Sequence, residues 1–205
     1  MNRSTSLLSS VLATTLVAAL AAPALASPDA AADAAPATAP AATLHGPREL
    51  HADAEIDPTA YALAGNSIHV GIGYRHLRVD LGNFAMALPA FAHADDGFDV
   101  SFTGYGAKLQ YFGSAAQRGW FAGIDAGVLK LDARRQGTDL AGHQVQIGAG
   151  VHAGYRIALP AGFYATPWLG VGYNFNTSPI TLGGSTYTPS KFSVFPAVHL
   201  GYQFR

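Results

Sequence analysis

Between Asn66 and Phe204 the chain is written largely with a period of two. The clearest stretch is Gln144–Leu159, where Val145, Ile147, Ala149, Val151, Ala153, Tyr155, Ile157 and Leu159 share one parity. Gln144, Gln146, Gly148, Gly150, His152, Gly154 and Arg156 hold the other. In an extended strand, neighbours point to opposite faces and residues two apart share one, so this segment lies between two unlike environments. A parallel strand buried on both faces would be apolar throughout. The alternation predicts an antiparallel sheet.

The pattern recurs over Ile68–Arg75, Trp120–Val128, Phe163–Asn176 and Phe192–Phe204. In Phe98–Phe112 it changes phase: Phe98, Val100 and Phe102 share one parity, Tyr105, Ala107, Leu109 and Tyr111 the other. A bulge near Gly104–Gly106 would reconcile the two. These segments make six strands. The connections alternate between long or moderate (81–96, 134–142, 178–191) and short (GSAAQRG and PAG), the habit of a transmembrane up-and-down barrel.

The polar face decides what surrounds the sheet. In a soluble sandwich it would meet water and carry Lys, Glu and Thr. Here it carries mostly glycine, Gln and Asn, and only 12% of the chain is charged, about half the usual share. Such a face suits the crowded interior of a narrow barrel, which leaves the apolar face for lipid. The fold class expected is therefore all-β, an antiparallel transmembrane up-and-down β-barrel. Because a membrane barrel has to close, and most small ones have eight strands or more, two further strands are expected in 50–65 or 83–92, against a narrower barrel or closure between chains.

On these parities the lumen holds a polar network of Arg75, Lys108, Asp125, His152, Arg156 and His199, with positive charge in excess. Aromatics gather at the strand ends, where interfacial girdles belong. Tyr111, Phe112, Trp120, Phe163, Tyr202 and Phe204 fall on the short-turn side; Tyr74, Phe98, Phe102, Tyr173, Phe175 and Phe192 fall on the long-loop side.

The N-terminal part is of another kind. Residues 1–26 read as a secretory signal peptide: Arg3, an apolar run from Leu7 to Ala22, and Ala24-Leu25-Ala26 as cleavage site. Residues 27–65 read as an Ala/Pro-rich flexible tail, with 50–65 ambiguous between a short helix and an irregular strand. The barrel is placed at 66–205. The absence of cysteine excludes disulfides, thiolate metal sites and a cysteine nucleophile. Twelve basic against thirteen acidic residues give no case for nucleic-acid binding.

From Asn66 onward, and in the ending LGYQF, the chain resembles the small outer-membrane β-barrel proteins of Gram-negative bacteria. The resemblance implies export, residence in the outer membrane among lipid and lipopolysaccharide, and insertion by the barrel-assembly machinery, which reads a closing strand with an aromatic end. Arg205 departs from the pattern by standing one place past Phe204. The resemblance leaves the oligomeric state open.

Motifs of other chemistries are weak. Gly148-Ala-Gly150-Val-His-Ala-Gly154 fits a loose dinucleotide pattern, but the alternation runs unbroken to Leu159 where a true fingerprint would turn into a helix. His69, His152 and His199 point inward without metal-site spacing, so interior hydrogen bonding is expected, with no metal or cofactor. Ser101, His93, Asp95 and Asp96 sit near the first long loop in no order that marks a catalytic set. Arg78, Arg134, Arg135 and Lys191 could meet lipopolysaccharide phosphates from the long-loop end, or be plain loop charges. The expectation is a non-enzymatic barrel with a packed lumen and a structural or surface-contact role; a narrow porin-like channel is the alternative, and a lipid A-modifying enzyme comes third.

Overall fold

The computed structural model describes residues 50–93 and 97–204. The expected signal peptide, the tail up to residue 49 and Arg205 lie outside the described residues. Among the described residues there are ten strands: β1 (Leu50–Ile56), β2 (Asn66–Tyr74), β3 (Leu77–Leu88), β4 (Phe98–Phe112), β5 (Gly119–Arg135), β6 (Ala141–Ala158), β7 (Phe163–Asn174), β8 (Ile180–Leu182), β9 (Ser185–Tyr187) and β10 (Phe192–Gln203). Two short helices, α1 (Pro58–Ala62) and α2 (Ala90–His93), lie in connections. Eight strands close into a barrel in which β1 pairs with β2 on one side and β10 on the other, while β8 and β9 form a separate hairpin.

Both weak segments hold a missing strand. The first, β1, belongs to the barrel, so the barrel begins at least sixteen residues before the expected boundary at 66. Its outward residues are Leu50, Ala52, Ala54 and Ile56, and its inward ones His51, Asp53 and Glu55. With alanines at the centre of the apolar face, the alternation is faint. The second, β3, occupies the first half of what reads as a loop over 81–96.

Carried from Leu50 through Tyr74, Leu77, Tyr111, Ala122, Ala153, Leu169 and Pro196, the pairing returns opposite position 60, ten residues beyond its start. That stagger tilts eight strands by ~40° and leaves an interior just wide enough for side chains to fill. The sheet is inside out by soluble standards. Ile68, Val70, Ile72, Leu81, Leu109, Ile124, Val151 and Val171 are exposed on its outer face, whereas Asp53, Glu55, Arg78 and Asp80 are buried within.

The wall is uneven. β1 has seven residues, but β5 has 17 and β6 has 18. Over the low side the connection folds into α1, whose first turn is capped by Asp57 accepting from the Thr59 amide at 2.9 Å, with Pro58 at the first position. The Ala87 amide donates to the Leu63 carbonyl at 2.9 Å, tying this connection to β3.

On the high side the faces exchange character along each strand. In β5, the outward residues Trp120, Ala122, Ile124, Ala126 and Val128 give way to Lys130, Asp132 and Arg134. Inward, Gly123, Asp125 and Gly127 give way to Leu129, Leu131 and Ala133. β4 does the same. It pairs with β3 and β5 in unbroken register over its whole length, so the expected bulge at Gly104–Gly106 is absent. Its even residues face inward throughout, apolar above (Phe98, Val100) and polar below (Lys108, Gln110). The change of phase marks the depth at which the surroundings change, not a break in the strand. Above that depth, Phe98, Val100, Leu131 and Ala133 pack with Ile180 and Tyr187 of the β8–β9 hairpin, and Leu88, Leu129 and Leu182 lie against this cluster. The top of the wall is thus a small sheet with a dry inner face and a polar outer one.

Candidate functional site

The inner half of the lumen is filled by a network of charged side chains. Arg78 on β3 is its centre and is fully buried. Its guanidinium grips Asp53 of β1 through Nε and Nη2, donates from Nη1 to Gln110 Oε1 at 2.8 Å, and lies 3.0 Å from Asp80 and 3.4 Å from Glu55. Arg156 of β6 reaches across the barrel to Glu55 at 2.9 Å, with Asp53 at 3.8 Å. Lys108 Nζ stands 3.8 Å from Asp80 and 4.7 Å from the centre of the Trp168 ring. Three carboxylates, Asp53, Glu55 and Asp80, thus face three cations, Arg78, Lys108 and Arg156. Burying charge is costly unless each charge is paired and hydrogen-bonded, and here the two sides match.

Histidines extend the network. His69 donates from Nδ1 to Asp80 at 2.9 Å, and His199 from Nδ1 to Glu55 at 3.0 Å. Their rings lie 4.8 Å apart across the intervening β1. His152 donates from Nδ1 to Asp125 at 2.9 Å, while its Nε2 faces the Gln110 amide nitrogen at 3.3 Å. Gln110 accepts from Arg78 on its other side, so one chain of contacts runs Asp125–His152–Gln110–Arg78–Asp53. Arg156 also lies over the rings of Tyr164 (4.2 Å) and Phe112 (4.8 Å). Among the described residues, no group of three or more His, Asp or Glu side chains is arranged to hold a metal ion.

The inner mouth is closed by a loop side chain. Gln117, in the turn between β4 and β5, donates from Nε2 to the carbonyls of Arg75 (2.9 Å) and Leu77 (2.7 Å), and its Oε1 accepts from His51 at 3.1 Å. Gln117 takes a left-handed backbone conformation (φ 49°) that turns it into the barrel. Inside, glycine makes the room: a Cβ on Gly71 would lie 2.4 Å from the Arg78 guanidinium.

Of the six expected network residues, Lys108, Asp125, His152, Arg156 and His199 face the lumen. Arg75 does not. β2 ends at Tyr74 and Arg75 sits exposed in the tight turn to β3, with φ of 49°; the cation inside is Arg78. Placing Arg78 in an outer loop was wrong for the same reason, since 77–88 is a strand and its even residues point inward. The expected excess of positive charge disappears once β1 and β3 contribute Asp53, Glu55 and Asp80.

The aromatics divide similarly. Tyr111, Trp120, Phe163, Tyr202 and Phe204 surround the inner rim on the outside, and Trp120 is 72% exposed. Tyr74 joins this rim instead of the outer one, because the turn after it is an inner turn. Tyr173 packs with Phe175 and Phe192 near the outer end. Phe98 is 3% exposed and faces inward as part of the apolar cluster, so it belongs to no girdle; Phe102 and Phe112 share its inward parity.

No family model matches the chain, and no curated protein matches it. Among solved structures, Neisserial surface protein A (NspA) is similar at 16% identity and a TM-score of 0.47, covering 76% of this chain and 96% of that one. The N-terminal β-barrel domain of Pseudomonas aeruginosa OprF gives 17% and 0.41, with 76% and 96% covered. A major outer membrane protein from Thermus thermophilus gives 14% and 0.44, with 76% and 98% covered. At such identities, function has to come from this chain's own geometry.

Proposed function

We propose that this chain is a Gram-negative outer-membrane β-barrel whose lumen is shut by an ion-paired plug, and that its role is structural or one of surface contact. The observation that carries the reading is the inversion of the sheet: a closed barrel, apolar outside, with Arg78 and its carboxylates fully buried inside. Lipid covers such an outer face stably, and closure leaves no unpaired edge in it. An ion passing through would have to displace Arg78 from Asp53 and Glu55, whose charges have no water to fall back on. This speaks against a steady pore.

The tall wall suits contact at the outer surface. Lys130 pairs with Asp132 at 2.8 Å on its outer face, and Arg134 and Lys191 are exposed near the same end. These cations sit where lipopolysaccharide phosphates would lie. Arg135 is spent within the fold, donating to the Gly183 carbonyl at 2.7 Å.

Purified protein in planar bilayers tests the plug. The expected record is flat, and steady single-channel steps would make the narrow-channel reading the better one. Recovery in outer-membrane fractions, with heat-modifiable migration on a gel, is expected; recovery as soluble periplasmic protein would remove the barrel-in-membrane reading altogether.

A further inference from the structure

One polar group breaks the apolar outer face inside its band, and a second stands at the upper margin of that band, where Tyr105 pairs with Val128. Asn83 of β3 points outward, with Leu81 below it, Ala85 above it, and Ile68 and Tyr105 directly across on the neighbouring strands. It lies six residues above Leu77 at the inner turn, about 15 Å up a lipid-facing band that is typically ~25 Å tall. Its amide nitrogen donates to the Gly104 carbonyl at 3.2 Å, and its amide oxygen has no partner among the described residues. Tyr105 stands beside it, 70% exposed, with a hydroxyl that makes no hydrogen bond among the described residues. Around the pair is a shallow apolar depression lined by Ile68, Val70, Leu81, Ala107, Ala126 and Val128.

Hydrocarbon offers nothing to Asn83, and polar side chains at membrane depth find partners in protein. The pair is complementary to itself. Asn83 presents a free acceptor and Tyr105 a free donor, one strand apart, and a two-fold axis along the membrane normal between β3 and β4 brings each opposite the other. Resting on the membrane reading above, we infer that the β2–β5 face is the interface of a homodimer. In it the Tyr105 hydroxyl of each copy donates to the Asn83 amide oxygen of the other. Such an interface is isologous and closes with two copies. The alanines of the depression let the two walls approach closely, as small residues do between membrane segments.

The chain has no cysteine, so one placed at exposed Arg118 (R118C) gives a single dye site on the inner turn. The full protein, labelled there, is reconstituted in dioleoylphosphatidylcholine vesicles at falling protein-to-lipid ratio, and self-association is read by energy transfer. Transfer is expected to fall along a monomer–dimer curve. N83L and Y105F should each weaken association by about three- to tenfold, while V171A, on the outward face of β7, should leave it unchanged. Y105F removes one hydroxyl and no packing, so it answers even if N83L folds poorly. A monomer at every ratio, or equal association of wild type and Y105F, overturns the dimer and leaves lipid as the cover. Failure of the chain to enter vesicles at all, seen as complete digestion by added protease, overturns the membrane reading and the dimer together.

Discussion

The barrel proper and the wall that rises above it are made from the same strands yet obey opposite rules. Up to Val128, β5 is apolar outside and carries Phe121, Asp125 and glycines inside; from Leu129 it is apolar inside and charged outside. The backbone does not register the change, since β4, β5 and β6 stay paired residue for residue through it. What changes is the solvent. On the membrane reading, lipid takes the outer face below the transition, so polar side chains turn to one another in the lumen around Arg78. Above it water takes the outer face, and the sheet needs a cover for its inner one, which Ile180 and Tyr187 provide. Pattern reports environment, and one strand can carry two environments in series.

The comparison breaks most visibly at the plug. Arg78→Leu leaves the buried Asp53, Glu55 and Asp80 with two cations between them, a loss of about 3–5 kcal/mol. It should show as reduced stability in denaturant titrations of vesicle-inserted protein, or as loss of the folded, heat-modifiable band. Arg78→Lys should recover only part, since a lysine cannot reproduce the forked contact with Asp53 while reaching Gln110. A harmless Arg78→Leu would mean that the network fills space without holding the barrel.

The outer face gives the next contrast. Ile124→Lys, in mid-band, should cost about 2–4 kcal/mol, whereas exchanging Asp132 for Lys above the transition should cost ~0–1 kcal/mol. The two substitutions add the same side chain to the same face of the same strand, eight residues apart. Equal costs in the same titration would show that the transition at Val128 is not the edge of the lipid.

Much of this was legible before any fold was known, and the failures share a cause. Strands with bulky outward residues, such as β6 and β7, announce themselves. β1 hides because Ala52 and Ala54 carry its apolar face and Asp53 and Glu55 its polar one, so it reads as tail. In β3, Asn83, Ala85 and Ala87 dilute the outward face just where Phe84, Met86 and Leu88 make the inward one apolar. With both strands unseen, Arg75 stood in for Arg78 and the carboxylates of the plug had no place in the barrel. Gln117 carries no periodic signal at all; only the turn that aims it makes it part of the site.

The hairpin over the wall is a smaller lever. Ile180→Ala should cost about 2 kcal/mol, but locally. Protease cleavage at Gly183–Gly184, both of positive φ in the hairpin turn, should quicken while the unfolding midpoint of the barrel stays put. A matching drop in that midpoint would make barrel and wall one cooperative unit.

The smallest effect lies at the seam between the two regions. β6 outruns β7, and its exposed edge is capped by a side chain: Asn176 Oδ1 accepts from the Ile147 amide at 2.7 Å, and its Nδ2 donates to the Val145 carbonyl at 2.9 Å. One side-chain amide thereby imitates the next residue of a partner strand and blunts an edge that could otherwise recruit another chain. Asn176→Asp keeps the acceptor and loses the donor; Asn176→Ala loses both. The Ile147 amide should therefore exchange its hydrogen at nearly the native rate in the Asp variant and faster in the Ala variant, by about the fivefold that a hydrogen bond worth ~1 kcal/mol allows. Equal acceleration in both variants would mean that water, not Asn176, satisfies this edge, and that the wall needs no cap where it leaves the barrel.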